Sequence, residues 1–265
     1  MRILVKLGGA VLDSQELRAS LATQIAAAGR HGVEIVVAHG GGKQMTRFLA
    51  ERGVESRFVN GLRVTTPETV DAALKVFAGS VNHELVASLN RAGALAVGLS
   101  GIDAFLAEAE QMDPALGAVG RVTKSDGTLL HLLTTHGYLP VVACVAGDRE
   151  GRVYNVNADQ MAAACAAAFG AELLVFLTDV EGVLDSAKQA LPFLTVAQSE
   201  RLISGGVATG GMEAKLNAAI AALRGGVEKA HIAPGAAEGV LGRVLAGEAI
   251  GTRMALSECR STHLA

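Results

Sequence analysis

There is no tryptophan in this chain, and phenylalanine and tyrosine together supply only 3% of it. A core without many rings has to be assembled from Ala, Val and Leu, which suits an α/β protein whose helices cover a sheet on both faces. Cysteine is scarce as well. Cys144, Cys165 and Cys259 have neither metal-site nor disulfide-framework spacing, which excludes a disulfide scaffold and fits a reducing cytoplasm. A basic excess is also missing: the net charge is −3, and without a Lys/Arg stripe a nucleic-acid partner is not expected. Half of the residues are hydrophobic and the mean hydropathy is +0.37, yet no apolar run reaches the length of a membrane span. The longest, Met161–Phe169, is bracketed by Asp159, Gln160 and Glu172. Met1-Arg2 leads directly into a strand-like run, which leaves no room for a signal peptide. The expectation is a cytoplasmic chain of 265 residues forming one large domain or two lobes.

Glycine, with 32 residues, is the abundant special residue, and it gathers where apolar strand-like runs end. Ile3-Leu4-Val5 runs into Lys6, Gly8 and Gly9. A lysine closing an apolar strand is costly to bury unless an anion meets it, and the glycines let a ligand approach the backbone. Glu34–Ala38 runs into His39-Gly40-Gly41-Gly42-Lys43, where backbone N–H groups at a helix start can cradle an anion. The loop is not a Walker A motif, because Gln44 stands where Ser or Thr is required. His39 reads as a packed or loop-ordering residue, not a base. Arg63, between glycine and β-branched residues, suits bidentate capture of a carboxylate.

The centre of the chain carries Tyr154-Asn155-Val156-Asn157-Ala158-Asp159, between an apolar run at 139–146 and a helix-like run ending at Gly170. Asp159 is expected as the N-cap, with Asn155 and Asn157 donating to anionic oxygens. Further on, Asp179 and Gly182 follow the buried strand 172–177. Gly205-Gly206 and Gly210-Gly211 then lead into a helix with Lys215 in its first turns. A cation there opposes the helix dipole unless a phosphate is bound. The alternation of strands and helices requires a parallel sheet covered on both faces. The stretch 104–126 reads as a hairpin or flap, 251–254 as an edge segment, and 258–265 as a frayed tail.

Together these stretches resemble the N-acetylglutamate kinases of the amino-acid-kinase fold. The matching motifs are Lys6-Leu7-Gly8-Gly9, His39-Gly40-Gly41-Gly42, Asn60-Gly61-Leu62-Arg63-Val64-Thr65, Asn155-Val156-Asn157-Ala158-Asp159, Asp179-Val180-Glu181-Gly182-Val183 and Gly210-Gly211-Met212 with Lys215. They follow the family's order and span Ile3 to Arg253. The resemblance implies a three-layer αβα sandwich around a mostly parallel open sheet. Residues 1–168 would form an N-terminal lobe for the acylated amino acid and for dimerisation, and residues 169–265 an ATP lobe. It also implies the transfer of phosphate from ATP to the side-chain carboxylate of N-acetyl-L-glutamate, in arginine biosynthesis. Lys6 and Lys215 would flank the moving phosphoryl group, held by Asp159. Gly41, Gly42, Arg63 and Asn155 would bind the acceptor, with Asn157 beside them. Gly8 and Gly9 would approach the phosphates. Asp179, Val180, Gly182, Val183 and Leu184, with Val207, Ala208, Thr209, Gly210 and Gly211, would line the nucleotide site. Mg²⁺ would arrive with ATP, held by phosphates and water, so no protein metal ligand is expected.

That inventory suits the chemistry. A carboxylate nucleophile, with a pKa of about 4.3, is already ionised and needs no general base. What remains is to bring anions together and stabilise the phosphoryl oxygens. The chain departs from the family at Ile102, where many relatives carry lysine, and at Glu213-Ala214, in place of Ile-Pro. It also begins at its first strand, without the N-terminal helix that arginine-regulated hexamers use, so the expectation is a homodimer insensitive to arginine. Two alternatives remain open: a kinase for an aminoadipate derivative in lysine biosynthesis, and a non-catalytic sensor of the same fold.

Overall fold

The computed structural model describes residues 1–257, so the frayed tail expected at 258–265 lies outside the described residues. The chain opens with β1 (Arg2–Leu7), a short α1 (Gly9–Asp13), α2 (Gln15–Arg30), β2 (Glu34–His39) and α3 (Gly42–Ala50). Ser14 separates the first two helices, because its hydroxyl accepts from the Leu17 N–H and caps α2. A small hairpin, β3 (Phe58–Val59) and β4 (Leu62–Arg63), turns at Asn60 and Gly61, both at positive φ. Thr66 caps α4 (Pro67–Ala73), with Pro67 in the first turn where its missing N–H does no harm. From Leu74 to Val81 the helix widens into π turns and then resumes as α5 (Asn82–Arg91).

Next come β5 (Ala96–Ser100), β6 (Ala107–Gln111), β7 (Val119–Ser125), α6 (Thr128–Thr135), β8 (Leu139–Ala143), β9 (Val145–Gly147) and β10 (Val153–Val156). The stretch 104–126 contains an antiparallel β6–β7 hairpin, and it is joined to β9 and β10 as a small closed sheet. The rest of the chain forms α7 (Ala158–Phe169), β11 (Leu173–Thr178), β12 (Val183–Leu184), β13 (Ala190–Leu191) and β14 (Phe193–Thr195). It continues through α8 (Val196–Ser204), α9 (Gly210–Arg224), β15 (Lys229–Pro234), α10 (Val240–Leu245) and β16 (Thr252–Ala255).

Eight strands form the main sheet in the order β14-β16-β15-β11-β1-β2-β8-β5. Every neighbouring pair is parallel except β15–β16. The central strands β1 and β11 are buried almost throughout, as their unbroken apolar runs require. Helices α6, α7 and α9 pack on one face, and α1, α2, α5 and α10 on the other. This is the three-layer α/β sandwich with a mostly parallel sheet. The chain leaves β1 for β2 on one side and returns to β11 on the other, so the strand order reverses at β1. A ligand crevice is expected at the carboxyl end of a strand in that position, which is where Lys6 stands.

Two local expectations are corrected. The segment Gly251–Met254 is not an edge: β16 lies between β14 and β15. The fully buried Thr252 draws it inward, its hydroxyl donating to the Leu191 carbonyl at 2.6 Å and accepting from the Val183 N–H at 2.8 Å. Asp159 is not the N-cap of α7. Asn157 takes that role, its Oδ1 accepting from the Asp159 and Gln160 N–H groups at 2.8 and 3.2 Å. Gly170, in the left-handed region at φ 60°, ends the helix as its lack of a Cβ permits.

Candidate active site

Because Asn157 supplies the cap, the carboxylate of Asp159 is free to turn into the crevice from the first turn of α7. It meets both lysines. Lys6 Nζ lies 2.6 Å from Oδ1 and Lys215 Nζ 3.8 Å from Oδ2. The side chains of Lys6 and Asp159 are only 8% exposed. The Lys6 contact is ionic and lies off a good hydrogen-bond direction, since Oδ1 has no well-aligned donor. One buried carboxylate thus faces two ammonium groups, and the trio carries one net positive charge in a place of low dielectric. Such an excess is unfavourable until an anion joins it.

Lys215 reaches this point from the second turn of α9, where its Nζ also donates to the Gly211 carbonyl at 3.3 Å. Burial holds its pKa below the usual 10.5; Asp159 opposes that shift, Lys6 adds to it, and Asp179 opposes it more weakly. The charge of Asp179 is therefore felt at the transfer point, although its side chain belongs to the loop after β11.

Two connected chambers open beside the trio. One, of about 400 Å³, is lined by Lys6, Gly8, Gly9, Gly40–Gly42, Arg63, Asn157 and Asp159, among others. The other, of about 180 Å³, shares the Gly40–Gly42 loop, Phe58, Arg63 and Asn157, and adds Asn155 with an apolar wall of Leu62, Phe77 and Val119. A Cβ placed on Gly9 or Gly42 would meet no protein atom within 4 Å. Nothing in the protein requires glycine at those two positions, whereas a ligand lying on the backbone would. Gly41 differs. A Cβ there would come within 2.9 Å of Phe77 and 3.3 Å of Val81, so the loop is pressed from behind. A wider groove of about 940 Å³ runs on from Asn157 between α7 and α9, beneath the hairpin turn at Asn60 and Gly61.

Arg63 is buried in the wall of both chambers. Its guanidinium donates to the Gly42 carbonyl at 3.0 Å, to Thr46 Oγ1 at 2.8 Å and to the Ser56 hydroxyl, and lies 4.6 Å over the Phe58 ring. Burial lowers its pKa, but a guanidinium stays charged at any physiological pH. It is a rigid cation with part of its fork already engaged. Asn155 Nδ2 donates to Thr65 Oγ1 at 3.1 Å, so one donor of that amide is in use. Cys144 lies in the smaller chamber, but burial pushes its thiol up to about 12 and it is no nucleophile at neutral pH.

The structure therefore brings together Lys6, Lys215, Asp159, Gly8, Gly9, Gly41, Gly42, Arg63, Asn155 and Asn157. It does not bring Asp179–Leu184 or Val207–Gly211 into these two chambers. Val183 and Ala208 are buried in protein, while Val180, Leu184 and Val207 leave apolar side chains more than a third exposed. Among the described residues no three His, Cys, Asp or Glu side chains gather as a metal cage, and no helix is long and apolar enough to cross a membrane. Thr46 and Ser56, which orient Arg63, and Asn82, behind the glycine loop, were not visible as site residues in the sequence.

Residues 1–234 match the model of the amino acid kinase family. An acetylglutamate kinase from Solibacter usitatus is 70% identical over 96% of this chain and 99% of its own length. One from Acidobacterium capsulatum is 44% identical over 91% of this chain and 94% of its own. Among solved structures, N-acetylglutamate synthase from Neisseria gonorrhoeae, complexed with coenzyme A and N-acetyl-glutamate, superposes with a TM-score of 0.85 at 26% identity. That alignment covers 97% of this chain but only 60% of the longer synthase. Carbamate kinase from Giardia lamblia, at 17% identity and a TM-score of 0.72 over 97% of this chain and 98% of its own, shares the fold.

Proposed function

Since this chain belongs to the amino acid kinase family, we propose that it transfers the γ-phosphoryl group of ATP to the side-chain carboxylate of N-acetyl-L-glutamate. The observation that carries the transfer chemistry is the Lys6–Asp159–Lys215 trio at the mouth of two glycine-lined chambers. The choice of acceptor is supported by the 70% identical acetylglutamate kinase.

A carboxylate oxygen attacks the γ-phosphorus, the new C–O–P bond forms, and the bond from phosphorus to the β,γ-bridging oxygen breaks to leave ADP. The products are ADP and N-acetyl-L-glutamyl 5-phosphate, and no proton has to be removed from the nucleophile. Lys6 and Lys215 attract the phosphoryl oxygens from two sides, and Asp159 keeps the ammonium groups from repelling each other out of position. The N–H groups of the Gly40–Gly42 loop and of Gly9 provide neutral donors that need no reorganisation, while the Gly8 N–H is taken up by the Leu177 carbonyl at 2.9 Å. Arg63 and the amides of Asn155 and Asn157 orient the acceptor's polar groups, and the apolar wall of the smaller chamber suits a short acyl group. Asp179–Leu184 and Val207–Gly211 form the nucleotide side, where exposed Val180, Leu184 and Val207 offer surface for a base. Mg²⁺ carried in with the nucleotide would be held by its phosphates and water and would supply positive charge there.

In this reading residues 1–168 bind the acceptor and make the dimer contact, and residues 169–265 bind ATP. The chain works in the cytoplasm, in arginine biosynthesis, as a homodimer. The enzymatic test is ADP release from Mg-ATP with N-acetyl-L-glutamate, N-acetyl-L-aminoadipate, free glutamate or no acceptor. Turnover is expected with N-acetyl-L-glutamate and should be lost in Lys215→Ala. Faster turnover of the longer acid would overturn the acceptor assignment, and nucleotide binding without any turnover would overturn the enzyme.

A further inference from the structure

We propose that His39 and Asn82 act as a buried positioning pair that fixes the Gly40–Gly42 loop in the geometry the acceptor needs. The inference rests on the reading of the adjoining chambers as the acceptor site. His39 is 0% exposed and Asn82 1% exposed, in the middle of an apolar core. Buried polar groups persist there when they find partners, and both ring nitrogens of His39 and both amide hydrogens of Asn82 do. His39 Nδ1–H donates to the Gly40 carbonyl at 2.8 Å, and Nε2 accepts from Asn82 Nδ2 at 2.9 Å. The second Nδ2 hydrogen goes to the Val141 carbonyl at 2.9 Å, with Leu99 O further off at 3.4 Å. Both carbonyls hold the Asn82 amide donor-side inward, so the imidazole must present an acceptor to it. That leaves Nδ1 as the only nitrogen able to hold Gly40. The tautomer follows from backbone carbonyls of β5 and β8, and it sets the first peptide of the loop. Burial, reinforced by the nearby charge of Lys6 and opposed by the Gly40 bond, keeps the ring neutral, with its pKa lowered to about 4.

The neighbouring strand makes room for the pair. A Cβ on Gly98 would lie 2.1 Å from Asn82 Oδ1, so glycine is required at that point of β5. The helix that carries Asn82 also presses Phe77 and Val81 against Gly41. His39 pulls the loop at Gly40, and the same helix stops it at Gly41.

The test compares wild type with His39→Leu and His39→Gln in steady-state kinetics. Leucine removes both hydrogen bonds, while a glutamine amide can donate to Gly40 and accept from Asn82. His39→Leu is expected to raise the KM for N-acetyl-L-glutamate about tenfold or more, roughly the worth of one lost buried hydrogen bond. The KM for ATP should stay within about twofold, with glutamine recovering most of the loss. Equal rises in both KM values, or a leucine variant that loses melting temperature with its KM unchanged, would reduce the pair to a core contact and overturn the proposal. Nitrogen NMR of the His39 ring tests the wild type directly: a neutral, Nδ1-protonated ring supports the pair, and an Nε2-protonated ring refutes it. If wild type turns over no acceptor, the reading of the site fails, and the tautomer still decides the fate of the pair.

Discussion

Of the two lysines that meet Asp159, Lys215 is the looser, 3.8 Å from its oxygen against 2.6 Å for Lys6, and it is twice as exposed. Its ammonium form, which the role proposed for it requires, exists below its folded pKa and is lost as pH rises through it. Burial sets that pKa below 10.5, so activity should hold through neutral pH and decline on an alkaline limb with a midpoint under 10.5. Bound phosphate favours the charged form, so the limb in kcat, which reports the complex, should lie higher than the limb in kcat/KM. Lys215→Arg keeps its charge beyond about pH 12 and should move both limbs upward even though its rate is lower. A limb that stays in place in the arginine variant would assign the titration to another group. The sequence singled out Lys215 because a lysine is misplaced near a helix start. It put Asp159 at the cap because Asn155, Asn157 and Asp159 are all capping residues, and local chemistry cannot rank them. The choice is tertiary: only a carboxylate released from capping can stand between two lysines.

The widened turns at Leu74–Val81 are the element that behaves least like its sequence. A π turn carries one residue more than an α turn of the same rise, so apolar periodicity reads through it unchanged and a single long helix is what the pattern suggests. Its effect falls on α5, the helix it leads into. Lengthening the segment by one further residue, for example by inserting alanine after Gly79, adds a residue beyond the one the widened turn already holds and should rotate Asn82 by about 100° away from His39. Helix content by circular dichroism is expected to stay near that of the wild type, while the KM for N-acetyl-L-glutamate rises at least as much as in His39→Leu. Unchanged kinetics would mean that the widened turn has no bearing on the loop. The other elements were readable wherever burial alone dictates them. Strands β1, β2, β8 and β11 each carry an apolar run of at least three residues, and Gly170 and Thr66 mark helix ends in their own right. Strand β14 spans only Phe193–Thr195, too short to carry a pattern, and this is why β16 looked like an edge.

At the scale of the molecule, the main sheet ends at β5, whose outer side has no strand partner among the described residues. Ala96–Ser100 is only partly buried, and Leu95 beside it is 61% exposed. An open edge of this kind is a ready surface for a second copy. Light scattering should give twice the chain mass, with a melting temperature that rises with protein concentration as expected for a folded dimer. A monomer mass with a concentration-independent melt, or a hexamer, would remove the homodimer from the reading. The two reversed strands at the opposite end of the sheet, β14 and β16, have a consequence for synthesis. Translation delivers Lys6, the glycine loop, Arg63, Asn155 and Asp159 long before Thr252, whose hydroxyl ties the Val183 N–H to the Leu191 carbonyl. On the ribosome, the glycine-lined chambers can close while the loop at Val183 is still unclipped and β14 has no partner. The nascent chain thus has the glycine-lined chambers in hand before the strand that clips Val183 to Leu191 has been made.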